Sequence, residues 1–303
     1  MTAWRRVIDS DLYYSFTRSK LTVAAAAIAV IFILASLFAP LVAPHNPFDL
    51  ATVQTIDGDM PPAWSENGST KYLLGTDDQG RDILSTILYG SRSSLLVGFL
   101  SVLLAMAIGI TLGLVAGFSG GLIDAVIMRT ADVQLSFPAI LVALLIDGIV
   151  RAVLGEAAHQ QAAIYVLIVS IGLSFWVQYA RTVRASVMVE KNKEYVQAAR
   201  VTGLPSFRIA LRHVLPNVMG PVLVIGTINL ALAIITEATL SFLGVGLPIT
   251  EPSLGTLISI GQKYLFAGEW WITVFPGLAL AIFVLSINLL GDWLRDALNP
   301  RLR

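Results

Sequence analysis

The chain has no cysteine, and its three histidines, His45, His159 and His213, stand far apart. The first absence excludes disulfides, thiolate catalysis and iron–sulfur clusters, and the second leaves no pair at metal-ligand spacing. Charge is scarce as well. Asp, Glu, Lys and Arg make up 13% of the 303 residues, where a soluble domain carries about a quarter. Twenty basic residues balance twenty acidic ones, so no overall field draws in nucleic acid. There is no Gly-Lys dipeptide, hence no phosphate-cradling loop, and the chain does not itself hydrolyse ATP.

What is present in excess is apolar: 56% of residues, with a mean hydropathy of +0.76. Crossing a bilayer takes about 20 mostly apolar residues in helical form. Leu21–Ala39, Ser93–Gly117, Ala157–Ala180 and Trp270–Gly291 carry no charge, and His213–Thr236 carries only its histidine. A sixth run lies between Arg129 and Arg151, with Asp132 and Asp147 near its ends. Six helical spans follow, because only helices satisfy their own backbone in lipid and these runs lack a barrel strand's alternation. Basic residues set the orientation. With a cytoplasmic amino terminus, fifteen Lys and Arg fall inside and five (Lys71, Arg81, Arg92, Arg151 and Lys263) fall outside, which predicts both termini in the cytosol. The first apolar run exceeds a secretory-signal core and reads as an uncleaved helix.

These runs divide the chain into an inside arm (1–20), a first span (21–43), an outside segment (44–92), a five-span core (93–295) and an inside tail (296–303). In the outside segment, Thr76-Asp77-Asp78 can cap a helix carrying Ile83, Leu84, Ile87 and Leu88 on one face, which predicts an interfacial amphipathic helix. In the second span Gly109, Gly113 and Gly117 recur every four residues, a spacing that lets another helix approach closely. The long inside loop, about 186–216, is basic and helical in pattern. Gly203-Leu204-Pro205 breaks it into two short helices, the second running from Ser206 to Val214. Its length and helicity suggest docking of a cytoplasmic partner.

In this loop Ala198-Ala199-x-x-x-Gly203, followed by His213-Val214-Leu215-Pro216, resembles the EAA loop of permease subunits in binding-protein-dependent ABC importers. Gln197 stands where that family usually has glutamate. Leu74–Asp82 with Tyr89–Arg92, Glu237–Gly244, Phe275-Pro276-Gly277 and Asn288–Asp296 are similar to segments of the C-type permeases of dipeptide and oligopeptide importers, with Asn299 in place of a usual aspartate. The resemblance implies an all-α, six-span type I importer permease in the bacterial inner membrane. It implies ATPase coupling through Tyr195, Gln197, Ala198, Ala199, Gly203, Leu215 and Pro216, docking resting on the shape of the two alanines. It also implies a B-type permease subunit, two ATPases that carry the ATP and Mg, and a periplasmic or lipid-anchored binding protein. No cofactor would bind this chain. Nickel, glutathione or another small solute are alternative cargoes. A secondary transporter or channel would instead need inverted repeats and broken mid-membrane helices.

Ionisable and polar residues inside the spans are the remaining candidates. Arg129 with Asp132, and Asp147 with Arg151, have the spacing of same-face ion pairs, structural rather than substrate-binding. Glu237 has no local basic partner; it either caps a short Ala238–Gly244 helix or lines the outer gate. Gln178, Asn229 and Asn288 are either pore-lining groups or interhelical hydrogen bonds. No nucleophile and base are paired at mid-membrane depth, which leaves an intramembrane enzyme without its chemistry.

Overall fold

Ser19 opens the first long helix by accepting a hydrogen bond from the Thr22 amide at 3.3 Å. In the computed structural model, which describes residues 11–49, 53, 55–248 and 253–297, a short helix α1 (Asp11–Arg18) leads into this α2 (Lys20–Leu37). Beyond a single turn at Ala39–Val42, the other α-helices are α3 (Ile83–Ser119), α4 (Gly121–Leu135), α5 (Ala139–Leu154), α6 (Glu156–Glu190), α7 (Glu194–Val201), α8 (Ser206–Phe242), α9 (Leu254–Gln262) and α10 (Trp271–Ala297). Among the described residues there is no strand, only an isolated bridge between Thr76 and Asp82. Asn299 and the rest of the tail from residue 298, like the first ten residues, lie outside the described residues.

The glycine triplet sets the central packing. A Cβ on Gly109 would lie 2.4 Å from the Tyr179 Cβ, one on Gly113 2.5 Å from the Ala180 carbonyl, and one on Gly117 2.9 Å from Val187. The contacts advance together along both helices, so α3 and α6 run parallel. Two parallel spans need one return between them, and α4 and α5 supply it as a single crossing bent by 95°. The third span expected between Arg129 and Arg151 is thus built from two helices. Its bend falls at Pro138, which has no amide donor and disfavours helix at Phe137.

Gly98 meets Ile234 and Gly226 meets Met106, so α8 runs antiparallel to α3; Gly291 meets Thr227 while Phe283, Val284 and Ile287 cluster with Ala231 and Ile234, so α8 is antiparallel to α10 as well. Phe32 stacks on Phe283 at 4.2 Å and Phe16 meets Trp293 at 5.1 Å, which places α2 antiparallel to α10. The result is six crossings, with Asp11 and Ala297 at the same end as α7. That end is called the loop end below, and the opposite one the cap end. Leu145, Leu278 and Leu285 remain more than half exposed on the outer faces, as lipid-facing or partner-facing spans require.

Two further expectations change. No separate amphipathic helix precedes the second span: Asp82, not the Thr76–Asp78 stretch, caps α3 by accepting from the Ser85 amide at 2.9 Å, and the helix then runs unbroken for 37 residues. Ile83 and Ile87 are buried against α9 and α10 instead of lying on a membrane surface. The Thr76–Arg81 stretch forms a tight turn. Asp77 accepts from the Arg81 amide at 2.8 Å and its Nε at 2.6 Å, while the Trp271 indole donates to the Thr76 carbonyl.

The seam makes a stability prediction. Gly113→Val should lower the melting temperature of the detergent-purified chain, since overpacking a fitted contact costs roughly 1–3 kcal/mol. Gly148→Val, whose added Cβ meets nothing within 4 Å, serves as the control. Equal melting of the two variants would show that the seam tolerates side chains.

Candidate functional site

Val196 and Ala199 point inward from α7 into the core formed by α3, α6 and α8, beside Ile209, Ala210 and Val214. This loop element is thus continuous with the spans. Ala199 is 7% exposed, so its expected place on the docking surface is corrected: it packs the element against its own bundle, and only Ala198 faces out. Gln197 is exposed, its amide 3.4 Å from the Lys191 carbonyl. Gly203 has φ +80, the left-handed conformation its place between helices called for.

The second short helix does not end before the fifth span. It passes through a π-helical turn, Ala210–Val214, into the rest of α8. Pro216 follows this turn at the start of the next α-helical stretch, and the widened turn accommodates a ring that a regular helix excludes. The His213 carbonyl instead accepts from the Asn217 side chain at 2.7 Å. Leu215 is half-buried against the core.

Tyr195 ties three segments together. Its hydroxyl donates to Glu190 at the end of α6 at 2.6 Å, and accepts from Asn217 in α8 at 3.2 Å. Burial, then the Glu190 carboxylate, push the phenol up to about 12, so it stays a donor throughout the physiological range. Lys191 donates to the Gly117 carbonyl at 2.7 Å, closing the end of α3, and the Arg200 guanidinium lies 5.8 Å from the Phe118 ring centre. Outward, the element presents Val201 (89% exposed), Phe207 (75%) and Leu211, with Arg200, Arg208 and Arg212 around them. Glu190, Asn217 and Phe207 were not legible as site residues, because their roles depend on which helices meet.

The intramembrane candidates are not brought together. Asn229 is fully buried beside the Tyr179 hydroxyl, while Gln178 faces out of the bundle. Glu237 is fully buried inside α8, not at the start of a separate Ala238–Gly244 helix; Ser241 donates to it at 2.7 Å, and Ser94 and Ser253 surround it. Both expected ion pairs are corrected. Asp132 pairs with Arg181 of α6, leaving Arg129 exposed, and Asp147 pairs with the buried His159 at 2.9 Å, leaving Arg151 to Glu156 at 3.4 Å. Asp124 likewise takes both arms of Arg184. Across this hairpin the neighbouring helix offers donors that the same helix face does not.

The structure thus combines a bent third crossing, a close glycine seam and an end loop packed on the core but exposed at its tip. Residues 109–303 match the family described as binding-protein-dependent transport system inner membrane component, and the chain belongs to that family. Residues 2–62 match the N-terminal TM domain of oligopeptide transport permease C. The chain is 42% identical over 296 residues to the dipeptide transport system permease protein DppC of Escherichia coli K12, covering 97% of this chain and 93% of that protein. It is 38% identical over 293 residues to DppC of Haemophilus influenzae, covering 97% and 95%. The di/tripeptide transport system permease protein DppC of Pseudomonas aeruginosa is 37% identical over 293 residues, covering 97% and 92%. Among solved structures, the MetNI methionine ABC transporter in an inward-facing conformation aligns with a TM-score of 0.57 at 19% identity, covering 72% of this chain and 98% of that one. The shared fold is that of a type I importer permease.

Proposed function

We propose that this chain is the C-type permease subunit of an ATP-driven importer that passes short peptides from a binding protein to the cytosol by alternating access. The observation that carries the reading is the coupling element: Val196 and Ala199 fasten it to the span core, while Val201, Phe207 and the arginines around them stay exposed for a partner. An ATPase subunit that closes on ATP and Mg pushes this tip, and the core contacts pass the displacement to α3, α6 and α8. A B-type permease completes the pathway, two ATPases drive it, and a periplasmic or lipid-anchored binding protein delivers cargo. The identity to dipeptide and di/tripeptide permeases supports peptide over nickel, glutathione or another solute.

The test is reconstitution of the four-subunit complex in liposomes with its binding protein. ATP-dependent accumulation of a radiolabelled dipeptide is the expected result. ATP hydrolysis with accumulation of another solute, and none of peptide, would sink the peptide assignment.

The reading also orients the chain, with the cap end outside and both termini in the cytosol, in keeping with the distribution of basic residues. Because the chain lacks cysteine, single-cysteine variants give a clean readout. An impermeant maleimide applied to intact spheroplasts should label Glu66→Cys and leave Asn192→Cys unlabelled until the membrane is opened. Labelling of Asn192→Cys in sealed spheroplasts would reverse the orientation.

A further inference from the structure

A cavity of about 470 Å³ opens at the cap end, between the turn joining α5 to α6 and the Gly244–Pro248 stretch that follows α8. Its size falls within the range of small-molecule sites, roughly 300–1,000 Å³. Arg151, Glu156, Gln160 and Lys263 carry its charge and polarity, with His159 and Ser241 deeper in the wall. Glu156 is already engaged on both oxygens: Arg151 lies 3.4 Å from one, and Gln160 donates to the other at 3.1 Å. Lys263 has no ion pair among the described residues. The inner carboxylates do not line the cavity, Asp147 being held by His159 and Glu237 by Ser241. Two cations thus face one committed acid, and the cavity offers its free charge to an anion.

We propose that this cavity receives the cargo's carboxylate terminus, with Lys263 as its principal partner and Arg151 as the second. The inference rests on the peptide-import reading and adds to it a place where the chain holds cargo. A peptide differs from most neutral solutes in always presenting a terminal carboxylate, whatever its side chains. Recognition there is indifferent to sequence, as an importer of many peptides requires. The position of Lys263, beyond α9 and exposed at the end of the bundle, lets its flexible stem reach into the cavity without burying a charge in lipid.

The experiment compares wild type, Lys263→Gln and Lys263→Arg in the reconstituted complex, with dipeptide and saturating binding protein, following uptake and ATP hydrolysis together. Because Lys263 is exposed and unpaired, the substitutions leave the fold intact. Lys263→Gln should lower peptide uptake by about tenfold or more, the loss expected for one charge-assisted hydrogen bond. Stimulation of ATP hydrolysis by the loaded binding protein should stay unchanged, and Lys263→Arg should retain uptake. Wild-type uptake by Lys263→Gln would overturn the cavity's role while leaving the peptide reading in place. Parallel loss of uptake and of ATPase stimulation would also overturn it, making Lys263 a grip on the binding protein. Failure of the wild-type complex itself to accumulate peptide would refute the underlying reading.

Discussion

Gly203→Val is expected to abolish peptide uptake while leaving the subunit in the membrane at normal abundance. The residue sits at φ +80, where a side chain costs roughly 1–2 kcal/mol and a β-branched one more. No neighbouring atom lies within 4 Å of the added Cβ, so the effect is one of backbone conformation and not of collision. The chain relieves the strain most easily by turning α7 relative to the start of α8, because the rest of each helix is fixed by the core. That rotation displaces Val201 and Phe207, the exposed tip on which partner docking is proposed to depend. Gly203→Asn is the discriminating control, since asparagine tolerates the left-handed region and should keep most of the uptake. The measurement is uptake and ATPase stimulation for both variants in the reconstituted complex. Full uptake by the valine variant would show that the angle between the two helices does not transmit the stroke.

Arg81→Met should cost about 3–5 kcal/mol, the typical loss when one partner is removed from a buried ion pair. Arg81 and Asp77 are both nearly inaccessible, and the guanidinium lies 2.6 Å from the carboxylate. Burial already pushes the Asp77 carboxyl above its ordinary range, with Arg81 opposing that push. Removing the arginine raises it further. A carboxyl whose folded value lies above its unfolded one binds protons preferentially in the folded chain, so folding loses stability as pH rises through that interval. The defect of Arg81→Met should therefore shrink on acidification, and Arg81→Met/Asp77→Asn should recover much of the loss at neutral pH. Melting of the purified chain in detergent at several pH values checks both points. A loss that is the same at every pH would mean that Asp77 never carries the uncompensated charge. Because the turn holds the Trp271 indole through Thr76, the variant should also loosen the start of α10.

Several features were legible in the chain because they are properties of short stretches. The length of an apolar run decides whether it can cross a bilayer, so six crossings and termini at one end follow from counting alone. Glycines four apart mark a surface that a second helix can approach, and the α3–α6 seam uses all three. Glycine followed by proline two residues on marks a helix break at which glycine can turn left-handed, and Gly203 does so. The motifs from Leu74 onward placed the chain in its family for the same reason: each is a short contiguous stretch that can be read without knowing what it packs against.

What only the tertiary structure decided is which groups meet. Asp132 and Asp147 each have an arginine at helical spacing, yet one pairs with Arg181 and the other with His159, because the rotation of each helix about its axis is set by packing against its neighbours and brings a different donor closer. The same rotation turns Ala199 inward and Ala198 outward, a distinction that two adjacent alanines in a motif do not carry. The bend at Pro138 was visible as a proline, but that it joins two parallel helices in one crossing depends on the direction of α6 relative to α3, a contact between residues some 70 apart. Composition and run length fix how often the chain crosses the membrane. The charge pairs between helices, the inward face of α7 and the cap-end cavity arise only when six crossings pack side by side.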